Sequence, residues 1–539
     1  MRLPSSLLIA ALFFIPCALS AQDHQHEHGG GEPERLGAVS FPTSCSVDAQ
    51  TKFTRAVALL HSFWYENAEK AFRDVAATDP QCGMAWWGVA MTNYHQVWPT
   101  PYSPAERARG MAAAEKAKAV GAKTTREQGY IDAIATFYRD ADSVETRTRA
   151  RAYEAAMERL ASQFPDDDEA AIFYSLTLIA HGMATPADKT YAYQKKAAVI
   201  LNQFLVKHPN HPGIAHYLIH SFDYPALAPL ALDAAYAYAR IAPSSPHALH
   251  MPSHIFVRLG MWQETIDSNI ASAAAARAYA MTAHPGAASF DSLHAYDYLA
   301  YAWLQRGEDE KVGQLVEELS MIKALDVENF AGYYALAAVP ARFALERRRW
   351  SDAAALTVRP ASFPWDRYAY AEALTWFARA VGAARGGDPN RARKDVERLQ
   401  ELRRKLLDQK NDYWADQVDV QRRLAEGWIA RAEGADEKAL TFLREAADLE
   451  DSMDKSPVTP GSIVPAREML AELLLETSQP EKALEAYERS LKDSPNRLNG
   501  LSGAARAAQL VGDRAKARAY YVQVARLFDG HVPATAATR

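Results

Sequence analysis

What most constrains this chain is a turn that keeps returning. Short breaks recur at Leu259-Gly260-Met261-Trp262, Gln305-Arg306-Gly307, Arg348-Arg349-Trp350, Gly386-Gly387-Asp388 and Glu433-Gly434-Ala435. The last is followed by Pro480 to Pro495, Asn496, a further helical stretch, and Gly512-Asp513. The spacing wanders between about 34 and 47 residues, the range of helix-pair repeats. Between breaks, apolar residues recur at helical spacing, as at Phe53, Val57, Leu60 and Trp64. Pro and Gly fall between such stretches rather than inside them. A single helix pair cannot bury its apolar stripe, so neighbours must stack. The sequence therefore predicts an all-α fold: a solenoid of roughly a dozen antiparallel helix pairs with almost no strand.

Length agrees, because 539 residues exceed the roughly 250–300 that one compact core sustains. Residues 1–21 read as a secretory signal, with Arg2, an apolar run from Leu7 to Ile15, and small residues from Ala18 to Ala21. Pro16 before Cys17 is wrong for lipoprotein cleavage, and the apolar run is shorter than the about 20 residues a membrane span needs. The expectation is removal of this segment and export to a periplasm or the outside, with no transmembrane segment. Residues 22–47 are a polar, His/Gly-rich lead-in expected to be disordered. Residues 48–455 form the main solenoid and 456–530 the C-terminal repeats, set apart by the Pro-rich stretch 457–461; 531–539 is a tail. Cys45 and Cys82 are the cysteines left after cleavage, and in an oxidising compartment they are expected to pair.

Sixty basic against 66 acidic side chains give a net charge of −6, which argues against a nucleic-acid partner. No nucleophile elbow, phosphate loop or dinucleotide fingerprint appears. The charge runs Glu346 to Arg349 and Glu397 to Lys405 read as solvated helix faces.

The segment from Pro480 to Tyr521 closely resembles the tetratricopeptide repeat, with its small residue at the turn, Ala early in the second helix, an aromatic further on and Pro near the end. The resemblance extends over residues 48–530. Segments 41–45, 216–225 and 250–262 also look like a group of secreted bacterial repeat proteins. The resemblance implies a superhelical fold and export, and leaves activity open.

Ten of the sixteen histidines lie between His181 and His294. His216 and His220 are four apart and share a helix face, and His250 and His254 repeat that spacing. The pairs are offset by 34 residues, one repeat period. They should occupy equivalent positions on adjacent helices, which pack about 8–10 Å apart. His181, 35 residues before His216, and His294, near Asp291, are offered as further ligands. His247 lies one turn before His250. Asp223 extends the first helix face. Imidazoles beside a carboxylate suit Zn, Cu, Ni or non-haem Fe; the segment 216–220 lacks the glutamate of the zinc-peptidase motif. Pro252 threatens the alignment of the second pair. A second candidate is the lead-in: cleavage after Ala21 would leave His24 third from a free amine, with His26 and His28 nearby, a square-planar Cu or Ni motif; the alternative is a solubilising tract.

Trp86, Trp87, Tyr94, Trp98 and Tyr102 read as repeat core or as lining of the N-terminal groove. Tyr217, Asp223, Tyr224 and Tyr298, nearer the histidines, are candidates for a ligand groove. Two functions follow. One is an exported monomeric scaffold holding a peptide, protein or small polar ligand in its concave groove, with no cofactor. The other is a metal-binding protein or metal-dependent enzyme using the histidine cluster, with storage or delivery through the lead-in as a lesser variant.

Overall fold

Left-handed residues stand at the turns the sequence marks: Gly260, Gly307, Gly387, Gly434 and Gly512, and also the non-glycine Arg348 with φ 53°. Each ends one helix and lets the chain reverse into the next. At Gly260 a side chain is excluded outright, since a Cβ would lie 2.5 Å from the Pro495 carbonyl oxygen. In the computed structural model residues 34–95, 97, 103–186 and 188–528 are described. Among them the chain forms twenty-five α-helices and two 3-10 turns, with one isolated bridge between Ala288 and Leu325 as the only β-type pairing. Antiparallel helix pairs stack throughout, so the chain is an α-solenoid of tetratricopeptide type. The signal-like segment, His24, His26 and His28, Trp98, Tyr102 and the tail lie outside the described residues.

Alternate helices line the inside. Pro212–Phe222 is buried along its whole length, and Phe290–Gln305 and Phe330–Glu346 nearly so. A helix apolar on every side is an interior helix rather than the wall of an open groove. From Arg35 onward the helices belong to one compact unit with two apolar clusters, Leu36 to Phe256 and Val257 to Leu527.

Both clusters include contacts between residues far apart in sequence. In the first, the end of helix Val47–His61 meets helix Pro212–Phe222, and the His61 carbonyl accepts from His216 Nδ1 at 2.7 Å. In the second, Arg497, just before helix Leu498–Val511, reaches Glu346 and Glu468, both at 2.6 Å. Glu346 is only 1% exposed, so the solvated face read from 346–349 is wrong at its first residue: the long-range contact with Arg497 puts that carboxylate against a buried guanidinium. In the run from Glu397 to Lys405, Glu397, Gln400, Glu401 and Arg404 are exposed while Leu399 and Leu402 are buried.

The Pro-rich stretch lies in a strap, residues 452–465, that crosses the interior before helix Ala466–Glu476. Arg342 donates to the carbonyls of Ser462 at 2.6 Å and Gly461 at 3.2 Å. Tyr413 donates to the Asp454 carbonyl at 3.1 Å. Ser456, Val458 and Thr459 are buried. Cys45 and Cys82 are joined by a disulfide that ties the lead-in to the second helix pair. Trp87 and Tyr94 are buried, Trp87 against Phe41 and Phe72, the core alternative rather than the groove one.

Candidate metal centre

The interior helices bring six histidines together in two sets, His216, His220 and His247, and His250, His254 and His294. In each set one nitrogen per ring lies within 4.8 Å of the others. All six side chains belong to residues at most 7% exposed.

The first set is built across an interhelix gap. His216 and His220 project one turn apart from Pro212–Phe222, with Nε2 atoms 3.1 Å apart. His247, on the short helix Pro246–His250, brings its Nε2 to 3.2 Å from that of His216. The His216 Nδ1 proton is already given to the His61 carbonyl, so the neutral ring presents a bare Nε2 lone pair to its neighbours.

The second set fixes its tautomers more completely. His250 Nδ1 meets Asn269 Oδ1 at 2.6 Å. Asn269 Nδ2 donates to the Thr265 carbonyl, so its oxygen must be the acceptor and His250 Nδ1 the donor. His254 Nδ1 donates to Asp223 Oδ2 at 3.0 Å. Both Nδ1 protons being committed, the two Nε2 atoms face each other at 3.0 Å as lone pairs. His294 Nε2, in the same set, is buried and has no hydrogen-bond partner. Pro252 does not spoil the alignment: a new helix, Pro252–Leu259, starts directly after Pro246–His250.

Lone pairs that converge this closely repel unless a cation or proton sits among them. A proton is disfavoured. Burial, and then the neighbouring imidazoles, hold His216, His247 and His250 well below the usual histidine range. Burial brings His220 down to about 3 and lowers His254 and His294 too. A tetrahedral ion with metal–nitrogen bonds of about 2.0–2.1 Å separates its donors by about 3.3 Å, close to the spacings of 3.0–3.2 Å found here. The residues fit a metal.

A nearby cluster makes the contrast. His61, Glu169 and His211 also converge, but there every group is matched. Glu169 accepts from His61 Nε2 at 3.0 Å and from His211 Nε2 at 2.9 Å. Tyr217 donates to His61 Nδ1, and the Ile214 amide to His211 Nδ1. Burial alone would raise the Glu169 pKa, yet the two imidazoles hold it well below the carboxylate range. This is a satisfied hydrogen-bond network, and it positions the His61 carbonyl that orients His216.

Around the second set stand charged groups. Arg258 donates to Asp223 Oδ1 at 2.8 Å and to its carbonyl. Lys455, from the strap, lies 3.6 Å from Asp223 Oδ1 and makes no hydrogen bond; burial and then Arg258 push its amine down to about 7. Burial pushes Asp223 up, but Lys455, Arg258 and His254 together hold it ionised, well below its usual range. Tyr298 lies 3.4 Å from His254 Nδ1, with its hydroxyl toward the Pro457 carbonyl.

Of the residues singled out from sequence, His216, His220, His250, His254 and His294 converge, and His181 does not. His181 bonds Glu154 at 2.6 Å and stacks on Tyr193 at 3.9 Å. His181 sits in the last turn of helix Asp168–Met183, whereas His216 sits in the second turn of Pro212–Phe222, so the two do not occupy equivalent places. Tyr217, Asp223 and Tyr298 are buried within or beside the cluster; Tyr224 instead pairs with Gln194 and Tyr191. Sequence reasoning missed the role of His247 as the partner of His216, and it missed His61, Glu169, His211, Asn269, Arg258 and Lys455.

No family model matches the chain, and no curated protein matches it. Solved structures to which it is similar include "Human IFIT1 dimer with PPP-AAAA", at 13% identity over 88% of this chain and 89% of that one, TM-score 0.37. Another is "Crystal structure of APC/C hetero-tetramer Cut9-Hcn1", at 12% identity over 90% and 94%, TM-score 0.27. A third is "Structure of Naa15/Naa10 bound to HypK-THB", at 14% identity over 89% and 70%, TM-score 0.23. At these scores the likenesses transfer no site and no activity to this chain.

Proposed function

We infer that this chain is a metal-binding protein whose two three-histidine sets each hold a transition-metal ion inside a helical scaffold. The observation that carries the reading is the Nε2-to-Nε2 approach of His250 and His254 at 3.0 Å, with both Nδ1 protons spent on Asn269 and Asp223. Three imidazoles per ion, no thiolate and no carboxylate among the donors suit copper or zinc; a ferrous facial triad wants a carboxylate ligand. Orienting partners on the far ring nitrogens are what metal-bound histidines usually have. The scaffold reading keeps the support of the architecture, but Tyr217, Asp223 and Tyr298 are buried and offer a bound peptide no exposed surface. Export is part of the proposal, supported by residues 1–21 and by the Cys45–Cys82 bridge.

The test is metal analysis of untagged protein after loading and desalting. Two ions per chain are expected, one for each histidine set, falling to one in His294→Ala and to none when His216→Ala and His254→Ala are combined. Protein that retains no metal under any loading condition sinks the reading.

A further inference from the structure

The two sets are neighbours: ring centroids of His220 and His254 are 6.4 Å apart, and those of His247 and His250 6.3 Å. Two ions would therefore share one interior. All six donors are neutral imidazoles. Asp223, a carboxylate hydrogen-bonded to His254, is already paired with Arg258 and approached by Lys455, and the buried Asp297 is paired with Arg342. Two divalent ions would add four unbalanced positive charges to a region that also holds a buried guanidinium and amine. Burying uncompensated charge is strongly disfavoured. Monovalent ions halve that excess. Copper is the metal suited to imidazole that is stable as a monovalent ion, so charge favours copper(I) over zinc.

Access points the same way. With the imidazoles at most 7% exposed and Tyr298 set against the Pro457 carbonyl of the strap, the donors offer little surface to a bulky substrate. A small neutral apolar molecule needs no aqueous route. Resting on the metal reading above, we propose that the six histidines hold a copper pair that binds dioxygen between the two sets. The step balances without another reactant: each copper(I) gives one electron, dioxygen takes both and becomes peroxide, and the oxygen–oxygen bond order falls from two to one. The net charge of the interior does not change, and no proton moves. Release runs the same step backwards. A hydrolytic zinc pair, by contrast, would need hydroxide and a polar substrate to enter.

The experiment uses the full chain loaded with copper(I) under anaerobic conditions and then exposed to dioxygen. Expected are uptake of one dioxygen per two coppers, a new peroxide-to-copper(II) charge-transfer absorption, and no copper EPR signal, because a bridging ligand couples the two unpaired spins. Degassing should reverse the absorption. His294→Ala, which breaks one set, should lose the absorption and leave an EPR-visible single copper after oxidation; His247→Ala breaks the other set and should do the same, so a folding failure in one leaves the second informative. Two coppers that bind but give an uncoupled EPR signal, or take up no dioxygen, overturn this proposal and leave the metal reading standing. So does a chain that retains zinc and rejects copper. Absence of any bound metal overturns both.

Discussion

His250 and His254 approach Nε2 to Nε2 at 3.0 Å while their Nδ1 protons are held by Asn269 and Asp223. Neither ring can turn its lone pair into a donor without breaking an orienting bond or becoming charged in a buried place. The metal-free interior thus carries a repulsion that an ion removes.

Metal should therefore stabilise the fold measurably. An ion present at 100 times its dissociation constant adds about 2.7 kcal/mol per site. Calorimetry of chelator-treated protein should give a lowered Tm that copper or zinc restores. Magnesium and calcium, which take oxygen ligands, should not restore it. A Tm indifferent to all four ions would count against a metal centre.

The orienting partners should matter almost as much as the ligands. Asn269→Ala removes the acceptor for His250 Nδ1 and touches neither Arg258 nor Lys455. Losing such a partner typically costs 10- to 100-fold in metal affinity. Competition against a chromophoric chelator should show that loss for one ion per chain and leave the other, on His216, His220 and His247, near wild type. Asp223→Asn should act on the same ion, with an added stability cost because Arg258 and Lys455 lose their buried counter-charge. The exposed Asp233→Asn serves as control. Equal weakening of both ions would mean that these residues act through the fold at large.

How much of this was legible beforehand differs by residue. The pairs His216/His220 and His250/His254 stand one period apart, and a period predicts equivalent places on neighbouring repeats. The turn residues, the near-absence of strand and the cysteine pair were readable for similarly local reasons. His61 and Lys455 were not. They arrive through long-range packing and through the strap, 155 residues before His216 and 201 after His254, and no short-range pattern encodes contacts at such separations. His247 misled for a subtler reason. Its place one turn before His250 suggests a shared face, yet its Nε2 lies beside His216 in the other set.

Acid should unfold the metal-free protein early. Burial holds the cluster histidines below their usual range, His220 at about 3, while in the unfolded chain they titrate near about 6.5. Between those values the unfolded chain binds more protons, so stability is full above about pH 6.5 and falls as pH falls, by up to about 1.4 kcal/mol per pH unit for each histidine. Urea midpoints at about pH 7.5, 6 and 5 should decline steeply and together with metal retention, which also needs neutral imidazoles. A flat profile over that range would show that the rings are solvated in the metal-free state.

One buried cation joins segments far apart in the second half of the chain. Arg497 is fully buried, bonds Glu468 through Nε at 2.6 Å and Glu346 through Nη2 at 2.6 Å, and lies over the Tyr301 ring with its guanidinium carbon 5.3 Å from the centroid. Arg497→Met leaves two buried carboxylates facing each other, and removing one partner of a buried pair costs about 3–5 kcal/mol. Arg497→Lys should recover only part of this, since an ammonium cannot reproduce the forked contact. Combining Arg497→Met with Glu346→Gln and Glu468→Gln should recover more, because no uncompensated charge remains. Urea melts of the four proteins at one pH give the ranking. If Arg497→Met unfolds within about 0.5 kcal/mol of wild type, the size expected of a surface change, Arg497 is not what holds these segments together.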